Sequence, residues 1–215
     1  MTRAKQETLF DLPEVPVKTY RAVRHEVVRN RQKNNILSTN HVHEKRTQVD
    51  QVLSGKSDLK ILELFSGDGF LTGVLSQYGH VKKMDKRLGT GDSFIEYHRL
   101  IADKEKFDVV DADPYGFPSR LLPDIFLLID DGIFFMTIPI PSVNIPNGIF
   151  KTHLQCYFGT DNPNEDQISQ KIAEYGLCHW RQITELSCVR MGRMWRFAFD
   201  VKKIKSTDYT GVRNR

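Results

Sequence analysis

The chain has 215 residues, with 31 Lys and Arg against 27 Asp and Glu and a formal net charge of +4. Its 40% hydrophobic and 27% charged residues are ordinary globular composition, which excludes a fully disordered chain, and the length suits one domain with extensions. No apolar run reaches the roughly 18 residues that a membrane span needs, no apolar core of a signal peptide opens the chain, and Cys156, Cys178 and Cys188 are too widely spaced for a disulfide framework or a CxxC metal site. The expectation is a reduced, cytoplasmic protein without a metal.

The mild net charge hides an asymmetry. Residues 1–56 hold 11 basic and 6 acidic side chains, residues 57–180 hold 11 and 18, and residues 181–215 hold 9 and 3. An acidic middle of −7 therefore lies between ends of +5 and +6. Basic ends on a globular core point to a polyanionic partner, because phosphate pairing releases counterions.

Residues 1–18 read as an arm, broken by Pro13 and Pro16. Tyr20, Val23 and Val27 follow at helical spacing among arginines. Thr39 or Asn40 is expected to cap a helix carrying Val42, Val49, Val52 and Leu53, closed near Gly55. From Asp58 strands and helices alternate. Lys60 to Phe65 is a strand, and Leu71, Val74, Leu75 and Tyr78 mark a helix closed by Gly79. His80 to Met84 is a second strand, ending at Asp85, and Ser93 to Ala102 is helical. Phe107 to Ala112 is a third strand, and Pro123 opens a helix carrying Ile125, Phe126, Leu128 and Ile129. Ile133 to Ile138 is an apolar strand of the buried kind, followed by a Pro/Asn loop from Pro139 to Gly148. Ile168, Ile172 and Tyr175 mark a last helix, ended by Gly176. Gln182 to Arg190 and Met194 to Ile204 form a hairpin turned at Gly192.

This alternation predicts an α/β fold with a mainly parallel sheet and a C-terminal antiparallel hairpin. Three regions result: a basic extension over 1–56, a domain over 57–205 and a basic tail over 206–215. Ligands of such sheets bind at the carboxyl ends of the strands, and the unusual residues cluster there.

The first of these clusters is Glu63-Leu64-Phe65-Ser66-Gly67-Asp68-Gly69. Two glycines one residue apart let the backbone approach a ligand and open the next helix. Thr72 stands where a dinucleotide fingerprint needs its third glycine, and no Gly-Lys-Ser/Thr makes a P-loop. Glu63 lies inside the strand, Asp85 ends the next one, and Asp92 follows Gly89 and Gly91. This set resembles the S-adenosylmethionine-binding motifs of class I methyltransferases. The resemblance implies a Rossmann-like, seven-stranded sheet. It implies a cofactor site of Glu63, Phe65, Ser66, Gly67, Gly69, Asp85, Asp92, Ser93 and Asp111. The backbone of Phe65 to Gly69 would hold the methionine portion, Asp85 the ribose hydroxyls, and Asp92 with Ser93 and Phe94 the adenine.

The second cluster is Asp111-Ala112-Asp113-Pro114-Tyr115-Gly116-Phe117-Pro118. An acid followed by proline at a strand end points acceptors into the site, and a tyrosine supplies a stacking face. The motif resembles the Asp/Asn-Pro-Pro-Tyr/Phe signature of amino-methyltransferases acting on nucleic-acid bases, without its second proline. It is closer to the D-x-D-P-Y-G-x-P of the tRNA guanine-N2-dimethyltransferase family, whose next strand resembles Asp131 to Thr137. Only 75 residues follow Ile140, so the extra C-terminal domain of that family is not expected here. The resemblance implies methyl transfer to an exocyclic amino nitrogen of a DNA or tRNA base, with Asp113 and the carbonyl of Pro114 orienting the amine and Tyr115 stacking on the base. Two alternatives are a methyltransferase acting on a non-nucleic-acid amine and a catalytically inactive methyltransferase fold that binds DNA or a clamp.

Gln6-Glu7-Thr8-Leu9-Phe10 resembles the short peptides that dock bacterial DNA-processing proteins on the replication sliding clamp. His41 and His43 do not share a helix face and are expected to be solvated. Two readings of the last strands stand side by side. Trp180, Trp195 and Phe197 with Arg181, Arg193 and Arg196 form an aromatic-basic nucleic-acid surface, or, from alternation, Trp195, Phe197 and Phe199 lie on the core face with Arg196 outward. The aromatics are expected in the core and the arginines stay open. Asn144 and Asn147 are placed near the target base by position alone.

Overall fold

A computed structural model describes residues 41–86, 89–114, 116–140 and 148–205, with no side-chain description for residues 148–150. The arm with Gln6, Leu9 and Phe10, the helix expected over 20–31, Thr39, Asn40, Tyr115, Asn144, Asn147 and the 206–215 tail lie outside these residues.

Helix α1 (Val42–Leu53) leads into β1 (Leu59–Leu64), α2 (Phe70–Leu75), β2 (Gly79–Met84), α3 (Ser93–Ala102) and β3 (Val109–Ala112). Two 3-10 turns (Pro118–Leu121 and Asp124–Leu128) precede β4 (Asp131–Pro139), α4 (Gly148–Phe158), α5 (Glu165–Cys178), β5 (Arg181–Met191) and β6 (Met194–Lys203). The strands form one sheet in the order β2-β1-β3-β4-β6-β5. The first four are parallel, β6 is antiparallel to β4, and β5 pairs antiparallel with β6.

Each of the six strands read from the sequence is present. The seventh, implied by the resemblance alone, is not found among the described residues. Between Met84 and Val109 the described chain forms only α3, which leads from the edge strand β2 to β3, on the far side of β1.

Both faces of the sheet are covered, which is why β3 is buried at every position and β4 over Ile133–Ile138. On one face Leu62, Leu64, Val110, Phe134, Met136, Ile138, Phe197 and Phe199 pack with residues of α3, α4, α5 and the 3-10 turns. On the other, Ile61, Val109, Ile133, Phe135 and Ala198 meet Val49 and Leu53 of α1 and Leu71, Val74 and Leu75 of α2.

That second cover corrects one expectation. Arg196 is not outward but fully buried, because α1 packs over the face it points to. Three local readings also change. Helix α1 starts after His41, which is left-handed and makes no side-chain cap. The helix expected after Pro123 is a short 3-10 turn, and Gly148–Phe158, unassigned in the sequence, is helical. Gly176 does not end α5, which runs on to Cys178. A Cβ there would lie 2.2 Å from the Ile183 side chain, so this glycine allows α5 to approach β5.

Candidate active site

At the end of β1 the backbone turns through three left-handed residues, Phe65 (φ 65), Gly67 (φ 57) and Gly69 (φ 82). Glycine adopts this conformation freely; for Phe65 it costs about 1–3 kcal/mol, and such strain concentrates at ligand sites. The turn is zipped to the end of β2. Ser66 N donates to Met84 O at 3.1 Å, and Gly67 N donates to Asp85 Oδ2 at 3.0 Å. Phe65 N donates to Ser93 Oγ at 3.1 Å, and that hydroxyl donates to Met84 O at 3.2 Å. The structure therefore brings Phe65, Ser66, Gly67, Gly69, Asp85 and Ser93 together. Asp92 caps α3, accepting from Phe94 N at 3.0 Å, and pairs with Lys86 at 3.1 Å. Phe94 packs edge-on against Phe65, with ring centres 5.1 Å apart, and the Arg120 guanidinium lies 4.5 Å from its ring centre.

Glu63 is buried directly opposite Asp111 of the neighbouring strand β3 and accepts a hydrogen bond from the Thr72 hydroxyl. Burial pushes its carboxyl up to about 8, opposed by the Thr72 bond and reinforced by Asp111 and Asp113. The folded value lies above the unfolded one, about 4.3. The stability this proton confers is thus complete below about pH 4 and lost as pH rises through about 8. Glu63→Gln is expected to flatten the fall in stability between about pH 5 and 8, where one titrating group contributes at most about 1.4 kcal/mol per pH unit. Urea midpoints across that range check it; a parallel fall in parent and variant would refute it.

The end of β3 is organised by two ion pairs that the sequence does not announce. Both oxygens of Asp111 are taken by Arg196, Nη1 at 3.1 Å and Nη2 at 2.7 Å, and neither side chain is exposed. Arg196 also donates to Thr137 Oγ1 at 3.0 Å, with its guanidinium 5.1 Å from the Phe135 ring centre. Asp111, expected among the cofactor-binding residues, is thus enclosed; burial raises its carboxyl pKa and Arg196 opposes the rise. Asp113 stands at the mouth, 19% exposed, with Oδ2 bound by Lys45 of α1, itself 5% exposed. Among the described residues its Oδ1 has no partner. The carbonyl of Pro114 accepts from Gly116 N at 2.9 Å.

Lys45 and Arg196 come from the two basic segments, and their partners from the acidic middle. Part of the charge asymmetry is therefore consumed inside the molecule. Gln48 completes the clasp, donating to Arg196 O and Ser187 Oγ at 3.0 Å each. Lys45 had a signal in the sequence, since it lies on the helical stripe of Val42, Val49 and Val52, where a cation is out of place. Arg196 had only Ala198, a small apolar residue on the supposed outer face.

No protein-family model and no curated protein matches the sequence. Solved structures do. Trm1 from Pyrococcus horikoshii, in complex with S-adenosyl-L-methionine, superposes with a TM-score of 0.56 at 16% identity, over 76% of this chain and 55% of that one. The fold is shared with solved S-adenosylmethionine-dependent methyltransferases. A 1,6-didemethyltoxoflavin-N1-methyltransferase from Burkholderia thailandensis, solved with 1,6-didemethyltoxoflavin and S-adenosylhomocysteine, gives 0.52 at 12% identity, over 90% of this chain and 93% of that one. The chain thus spans about half the length of the first and nearly all of the second. At these identities the likeness shows the fold.

Proposed function

We propose that residues 57–205, with α1, form an S-adenosylmethionine-dependent methyltransferase whose acceptor is an exocyclic amino nitrogen of a nucleic-acid base. The observation that carries this reading is Asp113: a carboxylate at the end of β3, beside the glycine turn, held by Lys45 through one oxygen and, among the described residues, without a partner at the other.

The residues of the turn fit the cofactor. Among the described residues Ser66 Oγ is buried with no hydrogen-bond partner, and a buried hydroxyl in that state suits a ligand that completes it. Asp85 lies against the left-handed turn, accepting from Gly67 N. Glu63, Phe65, Ser66, Gly67, Gly69 and Asp85 would hold the cofactor, with Asp92 and Ser93 shaping the adenine end through the start of α3. When bound, S-adenosylmethionine supplies an electrophilic methyl group on a sulfonium cation.

Orientation of the amine falls to the chain itself. Asp113 Oδ1 accepts an N–H of the acceptor amine and so aims the nitrogen lone pair. It also stabilises the positive charge that develops on nitrogen as the new bond forms, an interaction stronger in the transition state than in the ground state. Lys45 fixes the carboxylate plane. The Pro114 carbonyl is a second acceptor, and Tyr115 stacks on the base. A base within a duplex would have to leave the stack to reach Asp113.

The direct test is mass spectrometry of nucleosides from DNA and from tRNA incubated with S-adenosylmethionine, with and without the protein. A methylated adenine, cytosine or guanine in one polymer is expected. Methyl appearing only on protein or on small amines would overturn the reading. The docking role proposed for Gln6, Leu9 and Phe10 on a replication clamp rests on the sequence alone.

A further inference from the structure

Most basic side chains of the 181–205 segment are already engaged. Arg181 and Lys203 pair with Asp130 at 2.5 and 2.9 Å, Arg196 with Asp111, and Lys202 with Asp200 at 3.1 Å. Arg190 and Arg193 differ: both are exposed, and neither takes part in an ion pair or side-chain hydrogen bond among the described residues. No acidic residue lies between Glu185 and Asp200, so nothing in the hairpin itself neutralises them.

Register places these two arginines. Strand β4 runs parallel to β1 and β3, so its end at Pro139 lies on the edge of the sheet where the glycine turn and Asp113 stand. Pro139 is opposite Met194, and Met194 is opposite Met191, so the Gly192-Arg193 connection is on that edge too. Two contacts hold it there. Ile140 N donates to Arg193 O at 2.7 Å, and a Cβ on Gly192 would come within 3.3 Å of the His41 ring, which precedes the helix bearing Lys45. Arg190 is the cross-strand neighbour of Trp195, on the same face of the sheet, and Trp195 is only partly buried.

We infer that the β5–β6 hairpin tip, with Arg190 and Arg193 beside Trp195, is a phosphodiester-binding edge of the site. It would hold a nucleic-acid backbone on the rim while a base reaches Asp113. The inference rests on the nucleic-acid reading of the site and adds which surface holds the polymer. Guanidinium forks match phosphate oxygens two at a time, and a flat indole beside them offers a stacking face. Contacts of this kind position the strand without reading its sequence, so the tip confers affinity and leaves sequence choice elsewhere.

The test is anisotropy titration of the full chain with labelled DNA duplex, single-stranded DNA and single-stranded RNA at about 50 to 300 mM salt. The variant is Arg190→Gln/Arg193→Gln. The control is Lys56→Gln/Lys104→Gln, which removes the same charge from two exposed lysines at the opposite, amino edge of the strands. The arginine variant is expected to bind about 10-fold or more weakly near 100 mM salt and to flatten the log–log salt slope by about 1.8 on duplex or 1.4 on single strands. Its cofactor affinity should stay at the parent value, and the control should change binding less than about 3-fold. The polymer that suffers the larger loss is the one held. Equal losses in both variants would overturn the inference, as would parent-like binding by the arginine variant. A parent that binds neither polymer would overturn the nucleic-acid reading itself, whereas an unaffected variant of a binding parent would overturn the hairpin alone.

Discussion

Asp113→Ala is expected to abolish methyl transfer, a loss of at least about 1,000-fold, while cofactor affinity stays within about 3-fold of the parent. The reason is placement. Asp113 lies past the end of β3, while the turn bonded to the ends of β1 and β2 is built from other residues. The substitution has a side effect that must be separated from chemistry. Lys45 is nearly buried on Asp113, so alanine leaves an ammonium without its partner. Asp113→Ala/Lys45→Met removes both charges and should recover stability but not turnover. Lys45→Met alone should leave Asp113 in place but free to rotate. A misplacement of the acceptor of about 1 Å costs up to about 100-fold in rate. A turnover loss of that order is therefore expected with little change in cofactor affinity, and Lys45→Arg should recover part of it. Calorimetry with the cofactor and single-turnover methyl transfer on the same preparations check the set. Lost cofactor binding with unchanged chemistry in Asp113→Ala would sink the assignment.

Arg196→Met is expected to be the most destabilising single substitution in the site. It leaves the Asp111 carboxylate with no exposure and no cation, a situation that costs about 3–5 kcal/mol. For a chain of this size that is a fall in melting temperature of the order of 10 °C. Asp111→Leu/Arg196→Met should restore most of the loss, because the apolar pair no longer buries a charge. Thermal melts of the single and double variants decide it. A single variant that melts with the parent would mean that the pair is hydrated and that the clasp between α1 and the sheet is looser than its distances indicate.

The two pairs also show where reading a sequence meets its limit. Alternating strands and helices, the left-handed glycine turn and the position of Asp113 at a strand end follow from local pattern, and α3 spans the residues assigned to it, Ser93–Ala102. Local pattern succeeds there because hydrogen bonds and periodicity within a few residues determine the outcome. It fails for Arg196, since whether a strand's second face is covered depends on an element about 150 residues earlier in the chain. It fails in the same way at Gly176, whose position reads as a helix end until Ile183 is seen beside it.

What the sequence determined by itself is the order of the six strands and the two chemical turns, together with an acidic middle between basic ends. Which acid meets which base was decided only by tertiary structure. Sheet register sets Asp111 beside Arg196, 85 residues away, and α1 carries Lys45 across 68 residues to Asp113. A carboxylate that is free in the linear chain is enclosed in one case and held at the mouth of the site in the other. The physical reason is that burying a charge is tolerable only with its partner in place, and the partner is supplied by the fold.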